Sequence, residues 1–192
     1  MVGIRQFNEE AVMDAAMQLF WTRGYASTSM QDLAQATGVL RGSLYNAYGD
    51  KEKIFVLAFE RYHRQILATC RDALAHPDLR IALETYFERL IALMTSIGEG
   101  AHTRGCLTTK TAADETAKGE MILGALRGLL DGMEVLLTER LQKAGKLPLA
   151  PQEGARLIVT LTRGLVIMER VYSEPARLRA SAAALIDLLL KK

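Results

Sequence analysis

Twenty consecutive residues, SMQDLAQATGVLRGSLYNAY from Ser29 to Tyr48, constrain this chain more than any other stretch. They read as two short helices joined by a tight turn. Ser29 is a good N-cap, and Asp32 three residues on completes a capping box. Leu33, Ala34 and Ala36 are the small or apolar positions of a first helix of about two turns. Thr37-Gly38 ends it, because Gly38 can take the left-handed conformation that closes a helix. Val39 anchors the turn in the core. Arg41 to Tyr48 forms the second helix, with Leu44 facing in and Arg41, Ser43, Tyr45 and Asn46 facing out. This is the spacing of a helix-turn-helix.

The rest of the chain agrees with an all-α fold. Of its 192 residues 49% are apolar, enough for a sizeable core. Leu, Ala, Glu, Arg and Met are abundant and β-branched runs are rare. No apolar stretch is long enough to span a bilayer, and MVGIRQFNEE lacks the apolar core of a secretion signal. A cytoplasmic location is therefore expected, with Cys70 and Cys106 as free thiols. Net charge is +2, and residues 1–64 hold seven basic and seven acidic side chains. Bulk charge thus gives nucleic-acid binding no support, and the case rests on placement.

Around the motif, Asn8 caps a first helix, about Glu9 to Arg23, whose face is Val12, Ala15, Ala16, Leu19 and Phe20. A fourth helix runs from Asp50 to about Ala75, and a fifth from Leu79 to Ile97. Gly98 to Gly105 reads as a loop and Cys106 to Thr116 as a short sixth helix. A seventh helix spans about Lys118 to Ala144, with Gly124, Gly128 and Gly132 in a stripe suited to close helix packing. The eighth and ninth cover Gln152 to Tyr172 and Pro175 to Leu190. The eighth is apolar on most sides, more than one core needs, which suggests a dimer interface. Leu161, Leu165, Met168, Leu178, Leu185 and Leu189 are its candidates.

In the second helix of the motif, Arg41 suits a bidentate pair with guanine and Asn46 one with adenine. Ser43 can reach a base or a phosphate. Gly42 removes a side chain where the helix would approach DNA.

The run RGYASTSMQDLAQATGVLRGSLYNAYGDKEKIF resembles the N-terminal domain of the TetR family of bacterial repressors. The shared features are Gly24-Tyr25, Thr28-Ser29, Leu33-Ala34, Gly38-Val39, Gly42, Leu44-Tyr45, the aromatic Tyr48 and Lys51-Glu52. The resemblance covers roughly Phe7 to Tyr62. It implies a DNA-binding domain over residues 1–50 and an effector-binding, dimerising domain over 51–192. It also implies that Tyr45, Lys51, Thr28 and Ser29 grip phosphates, and that Tyr48 belongs to the same surface. Two positions depart from the family. Leu40 stands where Ser or Thr usually caps the second helix, which predicts an apolar contact to a thymine methyl, and Ala47 stands where a larger aromatic or His is common.

The resemblance further implies a homodimer that reads a palindromic DNA operator as a repressor. A small-molecule effector releases it by favouring a conformation in which the two recognition helices are wrongly spaced. Side chains suited to an effector pocket are Tyr86, Phe87, Leu90, Met94, Cys106, Lys110, Met121, Leu126 and Met133. Methionines and aromatics at helical spacing are also ordinary core. Cys106 has two readings, a buried core residue or a redox or electrophile sensor with Lys110 one turn on favouring the thiolate. His63, His76 and His102 form no ligand pair, so no metal is expected. No cofactor motif and no catalytic set is recognisable, so the chain does not read as an enzyme.

Overall fold

The structure is a computed structural model that describes residues 7–96 and 103–191. The N-terminal stretch and residues 98–102 of the expected loop, with His102, lie outside the described residues. The fold is all-α, with nine helices among the described residues: α1 Glu9–Arg23, α2 Met30–Thr37, α3 Arg41–Tyr48, α4 Lys51–Ala73, α5 Leu79–Thr95, α6 Leu107–Ala112, α7 Glu120–Gln142, α8 Pro151–Tyr172 and α9 Pro175–Leu189. None of them is long and apolar enough to cross a membrane. The chain divides into two compact units, one from Met1–Arg64 and Leu107–Arg127, the other from Gln65–Cys106 and Gly128–Lys192.

The first unit starts with α1. The Asn8 side chain accepts from the backbone N–H groups of Glu10 and Ala11 and so caps the helix. Its buried face is Val12, Met13, Ala16, Met17, Phe20 and Trp21, whereas Ala15 and Leu19 are half-exposed. Both sets fit a helical period, and the one carrying Met13, Met17 and Trp21 has more apolar area to bury. Aromatic rings from α4 then lock onto α1. Phe55 meets Phe20 edge-on at 5.0 Å and Tyr25 at 5.2 Å, and Tyr62 meets Trp21 at 5.0 Å. Arg61 adds a bidentate pair to Asp14, at 2.6 and 2.8 Å. The unit around the motif is therefore larger than residues 1–50. It needs α4 to cover Phe20 and Trp21.

It also needs α6. Lys110 donates to the Trp21 carbonyl at 3.0 Å, and the Asp114 carboxylate accepts from the Ala26 backbone N–H at 2.8 Å. The first holds the last turn of α1 and the second the connection between α1 and α2, to which Lys51 adds a bond to the Tyr25 carbonyl at 3.1 Å. The sixth helix is shorter than Cys106 to Thr116. Asp114 accepts from the Thr116 backbone and hydroxyl, an Asx turn that competes with helix continuation.

In the second unit α5, α8 and α9 pack together. Leu83, Tyr86, Phe87 and Ile91 of α5, Ile158 and Leu165 of α8, and Leu178 and Ile186 of α9 are all buried. Gly154 lets α8 sit tightly, since a Cβ there would lie 3.1 Å from Leu141. Arg179 pairs with Glu88 and Arg80 with Asp187 across the α5–α9 surface. The glycine stripe of α7 is open at its N-terminal end. Gly124 and Gly128 are exposed, and nothing lies within 4 Å of where a Cβ would stand at Gly124.

Candidate nucleic-acid interface

The site is α3 and the elements that fix it. The capping box forms at α2: the Ser29 side chain accepts from the Asp32 N–H, and the Asp32 carboxylate accepts from the Ser29 N–H at 2.8 Å. The same carboxylate group meets the Arg23 guanidinium at 2.8 Å, tying α2 to α1. Gly38 closes α2 with φ +68°, the left-handed conformation its sequence position anticipates. Val39 and Leu44 are buried, so α3 is pinned from beneath along one side.

The other side of α3 is open. Leu40, Arg41, Gly42, Tyr45 and Asn46 are exposed, with Ser43 and Tyr48 half-buried. The Arg41 guanidinium lies 5.5 Å from the Tyr45 ring centroid. A Cβ at Gly42 would meet no atom within 4 Å, so the packing of the protein itself does not demand a glycine there. No acid occurs within α3, and Arg41 is its one charged residue. A unit whose first 64 residues are balanced in charge thus presents a positive helix.

Thr28 and Lys51 do not share this face. Thr28 is buried, and its hydroxyl donates to the Gly24 carbonyl at 2.7 Å. Lys51 lies 4.1 Å from the Tyr25 ring centroid and donates to that residue's carbonyl. Both support the loop beneath the interface. Ser29 is exposed, but its side chain is committed to the capping box. Burial and the nearby carboxylates of Glu52, Asp50 and Asp114 push the Tyr25 phenol up, so it stays protonated beside the ammonium.

The other predicted residues scatter. Tyr86, Phe87, Leu90, Met94, Cys106, Leu126 and Met133 are buried, while Met121 is about half exposed and lines no interior. Helix α6 begins at Leu107, and Lys110 reaches the Trp21 carbonyl. The cation at the Cys106 sulfur is Arg163, whose Nη1 lies 3.1 Å away. It is 57 residues distant in sequence, so no local spacing could have indicated it. Burial pushes the Cys70 thiol up to about 12, with Arg163 opposing, which leaves that cysteine inert. Of the dimer candidates, Leu165, Leu178 and Leu189 are core residues. The exposed large apolar side chains are Leu157, Ile167, Met168, Val171 and Tyr172 on α8 and Leu188 on α9.

Fold and face together define a helix-turn-helix protein whose first helix is capped and whose second is pinned from beneath by Val39 and Leu44. Residues 12–58 match the family model for bacterial regulatory proteins, tetR family. The chain is 35% identical to the transcriptional repressor ComR of Escherichia coli over 92 residues, 47% of this chain and 44% of that one. It thus spans under half of that relative's length. A crystallised cysteine mutant of the TetR family regulator CifR, bound to 26-bp double-strand operator DNA, is 27% identical with TM-score 0.83, covering 97% of this chain and 99% of that one. The reduced form of Escherichia coli NemR superposes with TM-score 0.84 at 20% identity, covering 95% and 97%. Over residues 12–58 this chain thus resembles the TetR family of regulators, and its fold is similar to theirs.

The cap makes one pH prediction. Hydrogen bonds from the Ser29 hydroxyl and N–H, aided by Arg23, hold the Asp32 carboxyl below the usual carboxylate range. Its stabilisation is therefore full above the unfolded value near pH 4 and is lost as pH falls through the lower folded value. Asp32→Ala should lower the thermal midpoint equally at pH 6 and 8, with the gap from wild type closing only below about pH 4. A gap that closes between pH 6 and 8 contradicts this account.

Proposed function

We propose that this protein is a DNA-binding transcriptional repressor, which reads a palindromic operator as a homodimer and acts in the cytoplasm. The observation that carries the reading is the open face of α3, where Arg41, Tyr45 and Asn46 stand exposed on a helix pinned by Leu44 and Val39. Arg41 can take a guanine edge and Asn46 an adenine edge, while Tyr45 and the α2 N-terminus contact phosphates. The relatives named as repressors, and a regulator solved on operator DNA, support it. On this reading residues 1–50 carry the DNA contacts and residues 51–192 carry dimerisation and effector binding.

Gly42 separates this reading from a merely solvated helix. Gly42→Ala should raise stability by about 0.5–1 kcal/mol, because alanine is the better helix former and meets no clash. It should nevertheless weaken binding to the intergenic DNA beside the protein's own gene, as Arg41→Ala should. Fluorescence anisotropy across a salt series checks both. Binding no tighter than to random DNA, or unaffected by either substitution, contradicts the assignment.

The homodimer is proposed through α8 and α9. Leu157, Leu161, Gly164, Met168 and Val171 recur every three to four residues on one side of α8, and Leu188 extends the apolar surface from α9. Val171 is 67% exposed, so Val171→Glu leaves the fold intact and should convert the dimer to a monomer in sedimentation. An unchanged sedimentation coefficient contradicts this interface.

The released state is assigned to a small-molecule effector. The Tyr86 hydroxyl, buried and without a partner among the described residues, is a polar group that a bound molecule would satisfy. Its phenol is pushed well up by burial and stays a hydrogen-bond donor. The geometry at Cys106 favours a second signal, covalent modification of its thiol. A guanidinium at 3.1 Å favours negative charge on sulfur, and the thiolate is the reactive form. N-ethylmaleimide should then release DNA from the wild type and from Cys70→Ser but not from Cys106→Ser. Equal release from all three overturns the thiol switch.

A further inference from the structure

We infer that each half of the DNA site carries a thymine beside a guanine, with the thymine methyl packed on Leu40 and the guanine edge held by Arg41. The inference rests on the DNA-binding reading and specifies what that site recognises. Leu40 is the N-cap of α3 (φ −55°, ψ 138°) and makes no side-chain capping bond. Ser, Thr, Asn or Asp there would satisfy one of the free N–H groups of the first turn. Leu40 is also 80% exposed, more than any other large apolar side chain among the described residues. A single exposed leucine is ordinary. A leucine that forgoes a cap and packs on nothing, at the end of a helix that reaches base edges, has a use only if something apolar meets it there. Among the base-pair edges in the major groove, the one apolar group is the thymine C5-methyl.

Arg41 fixes the neighbour. It follows Leu40 directly, has no carboxylate partner among the described residues, and lies against the Tyr45 ring, which limits where its guanidinium can point. Adjacent Cα atoms are about 3.8 Å apart, close to the roughly 3.4 Å rise between bases along one strand. Leu40 and Arg41 both stand at the same end of α3, which puts neighbouring steps within their reach. Gly42 has no side chain and Ser43 is short and half-buried, so Leu40 and Arg41 are the long side chains of that turn.

The test uses the full-length protein and a duplex that it selects from a randomised library. Each thymine is replaced in turn by deoxyuridine, which removes only the methyl, and each guanine by 7-deazaguanine, which removes the N7 acceptor. One thymine per half-site should matter: its replacement should weaken wild-type binding about three- to fourfold per half-site and leave Leu40→Ala binding unchanged. The guanine one step away should lose about tenfold on replacement, and Arg41→Ala should be indifferent to it. Leu40→Ser should be thermally more stable than wild type yet blind to the methyl, so the loss cannot be blamed on misfolding. If no methyl matters, if it matters equally to Leu40→Ala, or if the two bases are not adjacent, the inference fails while DNA binding stands. If no duplex is enriched over random DNA, the DNA-binding reading fails and takes the inference with it.

Discussion

The edge-on contact of Phe55 with Phe20 and Tyr25 is what the N-terminal unit depends on. One ring from α4 closes the cleft between the end of α1 and the connection that leads to α2. Such pairs contribute about 0.5–1.5 kcal/mol each beyond the area they bury. Phe59 and Tyr62 continue the same stack along α4, with Tyr62 meeting Trp21. The position of α2, and through the Gly38 turn that of α3, follows from where these rings put Tyr25. Helix α3 contributes little to this core itself, since Leu44 is its one buried residue. Its outward side is therefore free to be chosen for recognition.

Legibility followed the range of the interactions. The capping box at Ser29, the left-handed Gly38 and the ends of α3 were readable because each is settled by residues within one turn. Direction was harder. Thr28 and Lys51 have the chemistry of phosphate ligands, but the Gly24 and Tyr25 carbonyls claim them from below, and nothing in the local spacing says so. On α8 the periodicity shows two apolar sides and cannot say which one faces α5 and α9. Leu165 proves to be inside, and Val171 outside. Cys106 illustrates the same limit. The local lysine was the visible partner, whereas the actual one comes from α8.

Charge shows why placement matters more than totals. The first 64 residues balance, yet three of their seven acids are tied to partners or to a helix cap. Asp14 is held by Arg61, Asp32 by Arg23 and Ser29, while Asp50 caps α4 through the Lys53 N–H. Each ion pair takes one negative and one positive side chain out of play, so the net is unchanged and what matters is where the remaining charges, Arg41 among them, stand. A surface charge pair adds little to stability, so the effect of these pairs is better seen in the potential they leave behind.

The Lys110 and Asp114 contacts bear on how the protein is made. They join residues separated in sequence by 89 and 88 positions, to the last turn of α1 and to the loop that leads from it to α2. A ribosome delivers chain from the N-terminus at roughly 5–20 residues per second. The helix-turn-helix segment therefore emerges seconds before the residues that hold its loop have been synthesised. Distant contacts also close more slowly than local ones. Early in synthesis the aromatic cluster and the local caps must hold the motif alone, and the recognition surface is completed only when more than half of the polypeptide exists.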